Sequence, residues 1–219
     1  MGCSDFGCPE SCWASTDDGD VGFSIQFEVF SLKMKRITFA NQGRMPRTLR
    51  MDDCSVDWSV WQGEMPATLM FVVRDGKVLF IEKLRGIGKG KINGPGGKID
   101  PGETPAQCVV RECQEELHIT PLEPVKMGEL WFAMSDIPDI HCHVYMAHEF
   151  DGEPTATDEA IPLWTDLDEI PWGDMWEDDQ HWLPHMLDGR KFLGKFVFEG
   201  ERIQWREILL DEAGVAGWM

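Results

Sequence analysis

The chain is poor in basic residues and contains no long apolar run. Its 219 residues include 20 Lys and Arg against 39 Asp and Glu, which gives a formal net charge of −19. That charge disfavours nonspecific binding to nucleic-acid polymers and to anionic membranes. No apolar run reaches the roughly 20 residues of a membrane helix, and the N-terminus lacks the basic and apolar regions of a secretory signal. We therefore expect a globular protein that binds neither nucleic-acid polymers nor membranes.

A framework of paired cysteines is also missing. The seven cysteines are odd in number and irregularly spaced, which favours a reduced intracellular compartment over a disulfide-stabilised secreted protein. Cys3, Cys8 and Cys12 lie close together, but no fourth ligand at zinc spacing follows them. The expected location is cytoplasmic, with a nuclear or organellar location left open.

One segment of this acidic chain contains no acidic residue. Between Lys83 and Ile99 it carries five cations and ends in a glycine-rich turn at Gly94, Gly96 and Gly97. Glycine lets the backbone approach a polyanion closely, and the cations supply opposite charge. The segment therefore predicts a phosphate-binding loop, although a plain lysine-rich loop would have the same composition. Its cations are Lys83, Arg85, Lys89, Lys91 and Lys98.

A helix with crowded carboxylates is predicted after this loop. Thr104 and Gln107 form a capping box around Pro105, which suits the first helical position. Further along, Glu112, Glu115 and Glu116 share one face of the helix. A solvated acidic face is the simple explanation, but a bound divalent cation would relieve the repulsion, and oxygen ligands suit Mg²⁺ or Mn²⁺. Arg111 is placed to join the helix to the loop through Glu103.

The whole stretch resembles the Nudix box, G-x5-E-x7-R-E-U-x-E-E-x-G-U, where U is a bulky apolar residue. Two positions depart from it: Cys113 replaces a larger aliphatic residue, and His118 replaces the second glycine, where a left-handed residue is often required. The resemblance implies a metal-dependent hydrolase that cleaves a nucleoside diphosphate linkage. Seven residues match at the required spacing: Gly97, Glu103, Arg111, Glu112, Glu115, Glu116 and Ile119.

The organisation predicted for the chain is an N-terminal extension over residues 1–65, partly disordered or of uncertain order, a domain over 66–211, and a tail over 212–219. An Asp-Gly turn joins the first two strands. A second helix is predicted over 178–187, kinked or shortened by Pro184 and ended by Gly189, whereas Thr120-Pro121 is expected to stop the first. The fold class is α+β, and the resemblance implies a Nudix-type α/β/α sandwich with a mixed β-sheet. Strands are predicted over 68–73, 78–83, 125–134, 141–147, 159–165, 192–198 and 202–210.

A second group of residues is formed by Trp176, Asp178 and Asp179. The simple explanation is the start of a helix, where Asp complements the helix dipole and Trp packs on the core. The alternative is a base-binding wall. A Trp face stacks on a purine, and two adjacent carboxylates with unequal pKa values can donate and accept hydrogen bonds. Asn93 adds a donor and an acceptor.

The segment from Ile170 to Phe196 resembles the base-recognition region of one Nudix branch, the MutT-homologue oxidised-purine nucleoside triphosphate diphosphatases. This resemblance implies metal ligands at the Gly96 carbonyl, Glu112, Glu115, Glu116 and Glu159. Ile87, where the branch commonly has an aromatic residue, Glu177, where it has proline, and Pro95 depart from the branch. The residues implied to line the nucleoside pocket are Thr68, Lys83, Asn93, Phe132, Trp176, Asp178 and Asp179.

The predicted function is hydrolysis of oxidised purine nucleoside triphosphates, such as 8-oxo-dGTP and 2-hydroxy-dATP, to the monophosphate and pyrophosphate. Mg²⁺, or Mn²⁺, is the expected cofactor, and the metal, Glu116 or Glu115 would activate the attacking water. Lys83 and Lys98 would add positive charge beside the phosphates. The alternatives are a Nudix diphosphatase with another nucleotide substrate and a non-catalytic nucleotide-binding module. We expect a monomer.

Overall fold

The computed structural model describes residues 54–211, so residues 1–53 and 212–219 lie outside the described part. Most of the predicted extension, including Cys3, Cys8 and Cys12, and the whole predicted tail fall there. The domain boundaries at 66 and 211 therefore stay a prediction. Within the described part, no helix is long and apolar enough to cross a membrane.

The described residues form two α-helices, one 3₁₀ turn and ten strands. The helices are α1 (Pro105–Leu117) and α2 (Asp179–Leu187), and the 3₁₀ turn is Trp172–Asp174. The strands are β1 (Met65–Arg74), β2 (Lys77–Lys83), β3 (Ile92–Asn93), β4 (Ile119–Leu122), β5 (Val125–Ala133), β6 (Ile140–Ala147), β7 (Glu149–Gly152), β8 (Ala160–Asp166), β9 (Phe192–Glu199) and β10 (Arg202–Leu210).

A mixed sheet of eight strands lies at the centre of the domain. Its order is β10-β9-β5-β6-β1-β2-β3, and β8 also pairs with β2. β1 runs parallel to β6 and β5 parallel to β9, whereas the other neighbours are antiparallel. β4 and β7 form a separate two-stranded sheet. The sheet is mixed, as expected for the α+β class.

The two helices cover opposite faces of this sheet. Alternate residues of β1 and β2 point to opposite sides, so Met70 and Leu79 pack with α1, while Phe71 and Phe80 pack with α2. Trp182 of α2 lies edge-on against Phe71 at 5.7 Å between ring centroids. Helix, sheet and helix therefore form three layers, which confirms the predicted α/β/α sandwich.

The predicted hairpin between β1 and β2 is confirmed. Asp75 and Gly76 both have positive φ, 53° and 76°, as a two-residue primed turn requires. The predicted strands are each present, with ends that differ by at most three residues, and the strand predicted over 202–210 has the predicted bounds. Three short strands were not predicted, namely β3, β4 and β7, because each has four residues or fewer.

The residues predicted to terminate the first helix were wrong. α1 ends at Leu117 because His118 is left-handed, with φ 59° and ψ 30°. Thr120 and Pro121, expected to stop the helix, lie inside β4 instead. In the second helix, Pro184 lies in the interior without ending it, and Gly189 follows with φ 77°. The predicted capping box at Thr104 and Gln107 is present.

The segment that precedes β1 packs against the sheet through two tryptophans. Trp61 stacks on Trp131 of β5 at 5.2 Å between ring centroids, and Trp58 stacks on Trp205 of β10 at 5.8 Å. The Trp61 indole N–H also donates to Asp139 at 2.7 Å. Residues 54–64 therefore pack on the domain. The sequence did not predict these contacts, because its strand pattern begins only near residue 66.

Candidate active site

A cavity of about 420 Å³ opens between the glycine-rich turn, α1 and the start of α2. It has a charged floor formed from the loop and α1, and an apolar wall formed from β1, β5 and β6. Twelve of the fifteen residues predicted for catalysis, metal binding or substrate binding line it: Thr68, Lys83, Asn93, Gly96, Lys98, Glu112, Glu116, Phe132, Glu159, Trp176, Asp178 and Asp179. Glu103, Arg111 and Glu115 do not line it.

The floor exists because the glycine-rich turn lies directly against β1. The Thr68 N–H donates to the Gly97 carbonyl at 2.9 Å, which holds the turn beside the strand. A Cβ atom at Gly96 would lie 2.1 Å from the Thr68 carbonyl oxygen, and one at Gly97 would lie 2.4 Å from Glu112 Oε1. No side chain fits at Gly96, and one at Gly97 would displace the Glu112 carboxylate, so these glycines let the backbone and the α1 carboxylates lie close together.

Glu116 is the most buried carboxylate of the floor. Its side chain is 1% exposed, accepts from the Gly96 N–H at 2.8 Å and pairs with the Lys83 ammonium at 2.9 Å. Lys83 Nζ also donates to the Gly96 carbonyl at 3.2 Å. A buried carboxylate without such partners would be costly. One cation therefore already lies between two of the oxygen atoms that were expected to bind metal.

Arg111 links the loop to the carboxylate face of α1, as predicted. Its guanidinium binds Glu103 through two nitrogens, each at 2.9 Å, and also contacts Glu112 at 2.8 Å and Glu115 at 3.0 Å. It further donates to the Lys98 carbonyl at 3.1 Å. The hydrogen bonds from Arg111 lower the pKa of Glu103 to about 2. Burial raises the pKa of Glu112, and the Arg111 guanidinium opposes that rise.

The remaining two carboxylates differ in position. Glu115 is 54% exposed and is held by Arg111, away from the cavity lining. Glu159, the residue directly before β8, lines the cavity and pairs with Arg85. The structure therefore brings Gly96, Glu112, Glu116 and Glu159 to one floor, but it leaves Glu115 at the rim.

Trp176, Asp178 and Asp179 lie at the far end of the same cavity, at the start of α2. Asp178 occupies the N-cap position, but its side chain makes no capping bond and accepts from the Trp182 indole N–H at 2.9 Å. Asp179 accepts from the Trp176 backbone N–H at 3.0 Å. Both aspartates are buried, at 4% and 2% exposure. A helix cap alone does not require two carboxylates in a cavity wall.

Burial also changes the protonation of this aspartate pair. Desolvation raises the pKa of Asp178 to about 6, against the hydrogen bond from Trp182. Desolvation and the nearby charge of Asp178 raise the pKa of Asp179 well above its usual range, and the charge of Lys91 opposes this rise. Neighbouring carboxyl groups that titrate in this way can offer a proton donor and an acceptor to one ligand edge.

The Trp176 ring is already covered on one side. The Lys91 ammonium lies 4.7 Å from a Trp176 ring centroid, in cation–π geometry, and also pairs with Glu201 at 3.1 Å. Gly88 approaches the same indole, since a Cβ atom there would lie 3.1 Å from Nε1. These contacts of Lys91 and Gly88 with the tryptophan were not predicted from the sequence, since they depend on how the loop folds.

The other predicted pocket residues have clear positions. Thr68 is buried with its hydroxyl 3.3 Å from Cys108 Sγ, and Asn93 Oδ1 accepts from the Gly94 N–H at 2.8 Å. Phe132 stacks on Phe196 at 5.6 Å between ring centroids. Ile87 lines the mouth and is 44% exposed.

Sequence reasoning missed the apolar wall. It consists of residues at alternate positions of strands and of the β5–β6 connection, where period-2 alternation was the available signal. The missed lining residues are Met65, Ala67, Leu69, Met134, Ile137, Ile140, Cys142 and Phe198.

This fold and this floor of glycines and glutamates define a Nudix domain. The family model for the NUDIX domain matches residues 63–186, more than half of the chain, and the chain belongs to that family. Two curated relatives bear the name oxidized purine nucleoside triphosphate hydrolase. The one from Danio rerio is 42% identical over 139 residues, 62% of this chain and 88% of that protein. The one from Mus musculus is 37% identical over 135 residues, 61% of this chain and 86% of that protein.

Solved structures agree with the fold. The MutT protein from Bacillus halodurans superposes with a TM-score of 0.60 at 26% sequence identity, covering 66% of this chain and 97% of that one. The shared region is therefore nearly a whole MutT domain.

Proposed function

We propose that this protein hydrolyses oxidised purine nucleoside triphosphates to the monophosphate and pyrophosphate, and so removes damaged nucleotides from the pool. One observation carries the proposal: a single cavity joins the carboxylate floor around Glu116 to the wall of Trp176, Asp178 and Asp179. A triphosphate and its base would therefore contact both groups at once. The names of the two relatives, which describe hydrolases of oxidised purine nucleotides, support the same substrate class.

The floor suits a hard divalent cation. All of the floor atoms that could bind a metal are oxygens, which are the ligands that Mg²⁺ and Mn²⁺ prefer. Lys83 Nζ already contacts both the Gly96 carbonyl and Glu116 Oε1, so two ligand atoms converge on one position of positive charge. When bound, Mg²⁺ supplies charge neutralisation for the phosphate oxygens and favours ionisation of bound water. The residues that would hold it are Gly96, Glu112, Glu116 and Glu159, with Glu115 at the rim.

The other residues of the floor would each have a separate role in hydrolysis. Lys83 and Lys98 place positive charge beside the phosphates, where it stabilises charge that develops during attack. Glu116 is the better supported proton acceptor for the attacking water, because it is buried in the floor, whereas Glu115 is exposed and bound to Arg111. Arg111 and Glu103 hold the loop against α1 and orient the carboxylates.

At the other end, the free side of Trp176 would stack on the purine, with Lys91 covering the opposite side. Asp178 and Asp179 would read the Watson–Crick edge, one as donor and one as acceptor. A pair that exchanges these roles accommodates both 8-oxo-dGTP and 2-hydroxy-dATP. Ile87 provides apolar contact at the mouth but no aromatic stacking, which favours a broader base preference.

The test is a hydrolysis panel with Mg²⁺ across 8-oxo-dGTP, 2-hydroxy-dATP, methylated and plain purine triphosphates and a dinucleoside polyphosphate. We expect pyrophosphate release from the oxidised purines. Glu116→Gln should lower turnover by two or more orders of magnitude while nucleotide binding persists, since proton transfer alone contributes roughly 10²–10⁴-fold. Glu149→Gln, on an exposed residue of β7, is the matched control.

The base-reading role needs separate variants. Asp178→Ala and Asp179→Ala should lower activity on 8-oxo-dGTP much more than on a plain triphosphate. Equal losses on both substrates would remove the base-reading role but leave the hydrolase. A parent protein that binds nucleotide without turnover would instead be a binding module.

A monomeric state in the cytoplasm remains part of the proposal. Size-exclusion chromatography with light scattering, and imaging of the tagged full chain, measure these two properties directly.

A further inference from the structure

A cluster of metal-ligand side chains lies on the sheet away from the nucleotide cavity. His141 and His143 are two positions apart on β6 and point to the same face, and Glu129 of β5 is the cross-strand partner of His143. One ligand atom from each of the three residues lies within 4.8 Å of the others. None of the three lines the cavity, whereas their neighbours Ile140, Cys142 and Phe132 do. The cluster therefore occupies the opposite face of the same strands.

Two features set this cluster apart from an ordinary surface network. The three side chains are 15%, 29% and 14% exposed for Glu129, His141 and His143, so they are largely withdrawn from water. His143 Nδ1 is buried and has no hydrogen-bond partner within 3.5 Å, and its approach to Glu129 is 3.6 Å. A buried imidazole nitrogen without a partner is costly unless another atom binds it. Trp61 and Trp131 lie edge-on against His141 and shield the site.

We propose that Glu129, His141 and His143 bind a divalent transition metal of the zinc type. Two imidazoles and one carboxylate are the ligands of open zinc sites, which keep a fourth position for water. Imidazole nitrogens favour Zn²⁺ over Mg²⁺, so this site and the all-oxygen floor select different ions. The site is independent of the proposed hydrolysis, because it shares no residue with the floor.

Lys126 occupies part of the same space. Its ammonium contacts Glu129 at 2.5 Å, and the Trp131 indole N–H and His141 also bind that carboxylate. Burial acts against ionisation of Glu129, but the hydrogen bonds from His141 and Lys126 lower its pKa. Lys126 is 22% exposed and has a flexible stem. A divalent ion entering the cluster would take the place of the Lys126 ammonium beside Glu129, and Lys126 would move to solvent.

Cobalt titration of the full chain tests the site, because Co²⁺ bound by imidazole shows visible d–d bands. Cys3, Cys8 and Cys12 are replaced by Ser in every sample to remove outlying thiol ligands, and excess Mg²⁺ covers the carboxylate floor. We expect visible bands that Zn²⁺ abolishes by displacement. His141→Gln, His143→Gln and Glu129→Gln should each weaken binding more than the roughly 10- to 100-fold cost of losing an outer-shell partner.

Two further variants make the test specific. His148→Gln, on an exposed histidine beyond β6, and Glu116→Gln, in the floor, should leave the bands unchanged. Lys126→Met should tighten Co²⁺ binding, because it removes the competing cation and keeps the stem. Near-ultraviolet circular dichroism of the tryptophans verifies that each variant is folded. The proposal is overturned if the parent shows no visible bands, if the histidine variants bind as the parent does, or if Lys126→Met weakens binding.

Discussion

The buried aspartates at the start of α2 show how one pair of side chains links stability to recognition. Asp178 and Asp179 are withdrawn from water, so ionising them opposes folding, while their hydrogen bonds from Trp182 and Trp176 hold them in place. A pair whose pKa values are raised by its surroundings can retain a proton and so offer both a donor and an acceptor to a base edge. The free energy of unfolding of the domain therefore decreases as the pair ionises.

Stability should therefore fall with rising pH through this pair. The folded-state pKa of Asp178, about 6, lies above its ordinary value of 3.8, so its contribution is fully present below pH 3.8 and is lost as the pH rises through 6. The loss is on the order of a few kcal/mol. Urea unfolding of Asp178→Asn between pH 4 and 8 should give a shallower decline than the parent.

Asparagine keeps an acceptor for the Trp182 indole, so the comparison isolates the charge. Asp136→Asn, on an exposed residue of the β5–β6 connection, is the matched control and should follow the parent curve. Parallel curves for the parent and Asp178→Asn would contradict the assignment.

At the scale of elements, α1 has one well-formed end and one strained end. The capping box at Thr104 satisfies the first turn, whereas the last turn relies on a histidine in the left-handed region, where a side chain is disfavoured. His118 Nδ1 lies 2.7 Å from the Thr155 hydroxyl, which offsets part of the strain. This end matters because it fixes where β4 begins and how the glutamate face is presented.

Replacing His118 with glycine should stabilise the helix end once that hydrogen bond is removed. In a Thr155→Ala background, His118→Gly is expected to raise the free energy of unfolding by about 0.5–1 kcal/mol. Glycine removes the free-energy cost of holding a non-glycine residue in the left-handed region. From this gain we subtract the greater conformational entropy that glycine loses on folding. Urea denaturation measures it, and in the parent background the gain should be smaller. No gain in the Thr155→Ala background would show that His118 carries no strain.

At the scale of the whole molecule, the sheet carries different chemistry on its two faces. One face holds α2 and the apolar wall of the nucleotide cavity, whose floor is completed by Glu112 and Glu116 of α1. The other holds α1 and, further along, the Glu129, His141 and His143 cluster beside the tryptophans of residues 54–64. The parallel pairing of β1 with β6 and of β5 with β9 places chain segments distant in sequence side by side. The Glu129, His141 and His143 cluster therefore shares strands, but no side chains, with the nucleotide cavity.

The tryptophan segment should contribute measurably to stability without forming the cavity. Trp61→Ala removes a stacked ring and a hydrogen bond to Asp139, so the free energy of unfolding should fall by about 2 kcal/mol, below the full cost of a buried aromatic because Trp61 is half-buried. Nucleotide hydrolysis at saturating substrate should stay near that of the parent. Val60→Ala, at a residue 73% exposed, is the control. A decrease in the free energy of unfolding no larger than that of the control would show that the segment does not stabilise the domain.

Local rules predicted much of the fold and half of the site. The spacing of Glu112, Glu115 and Glu116 on a helix, the capping box at Thr104 and the Asp75-Gly76 turn all depend on residues within a few positions of one another. Such preferences act before any distant contact forms, which is why they are readable from the sequence. The mixed α+β layering followed from the order of these elements.

Only the tertiary structure decided which of those residues meet. Burial of Glu116 against Lys83 and exposure of Glu115 depend on how α1 sits on the sheet, and no local pattern separates two adjacent glutamates. The Glu129, His141 and His143 cluster exists only because β5 pairs with β6 in one register. The sequence by itself therefore determined which chemical groups are present and their local geometry. The tertiary structure determined which groups contact one another, because burial and charge compensation are properties of the assembled fold.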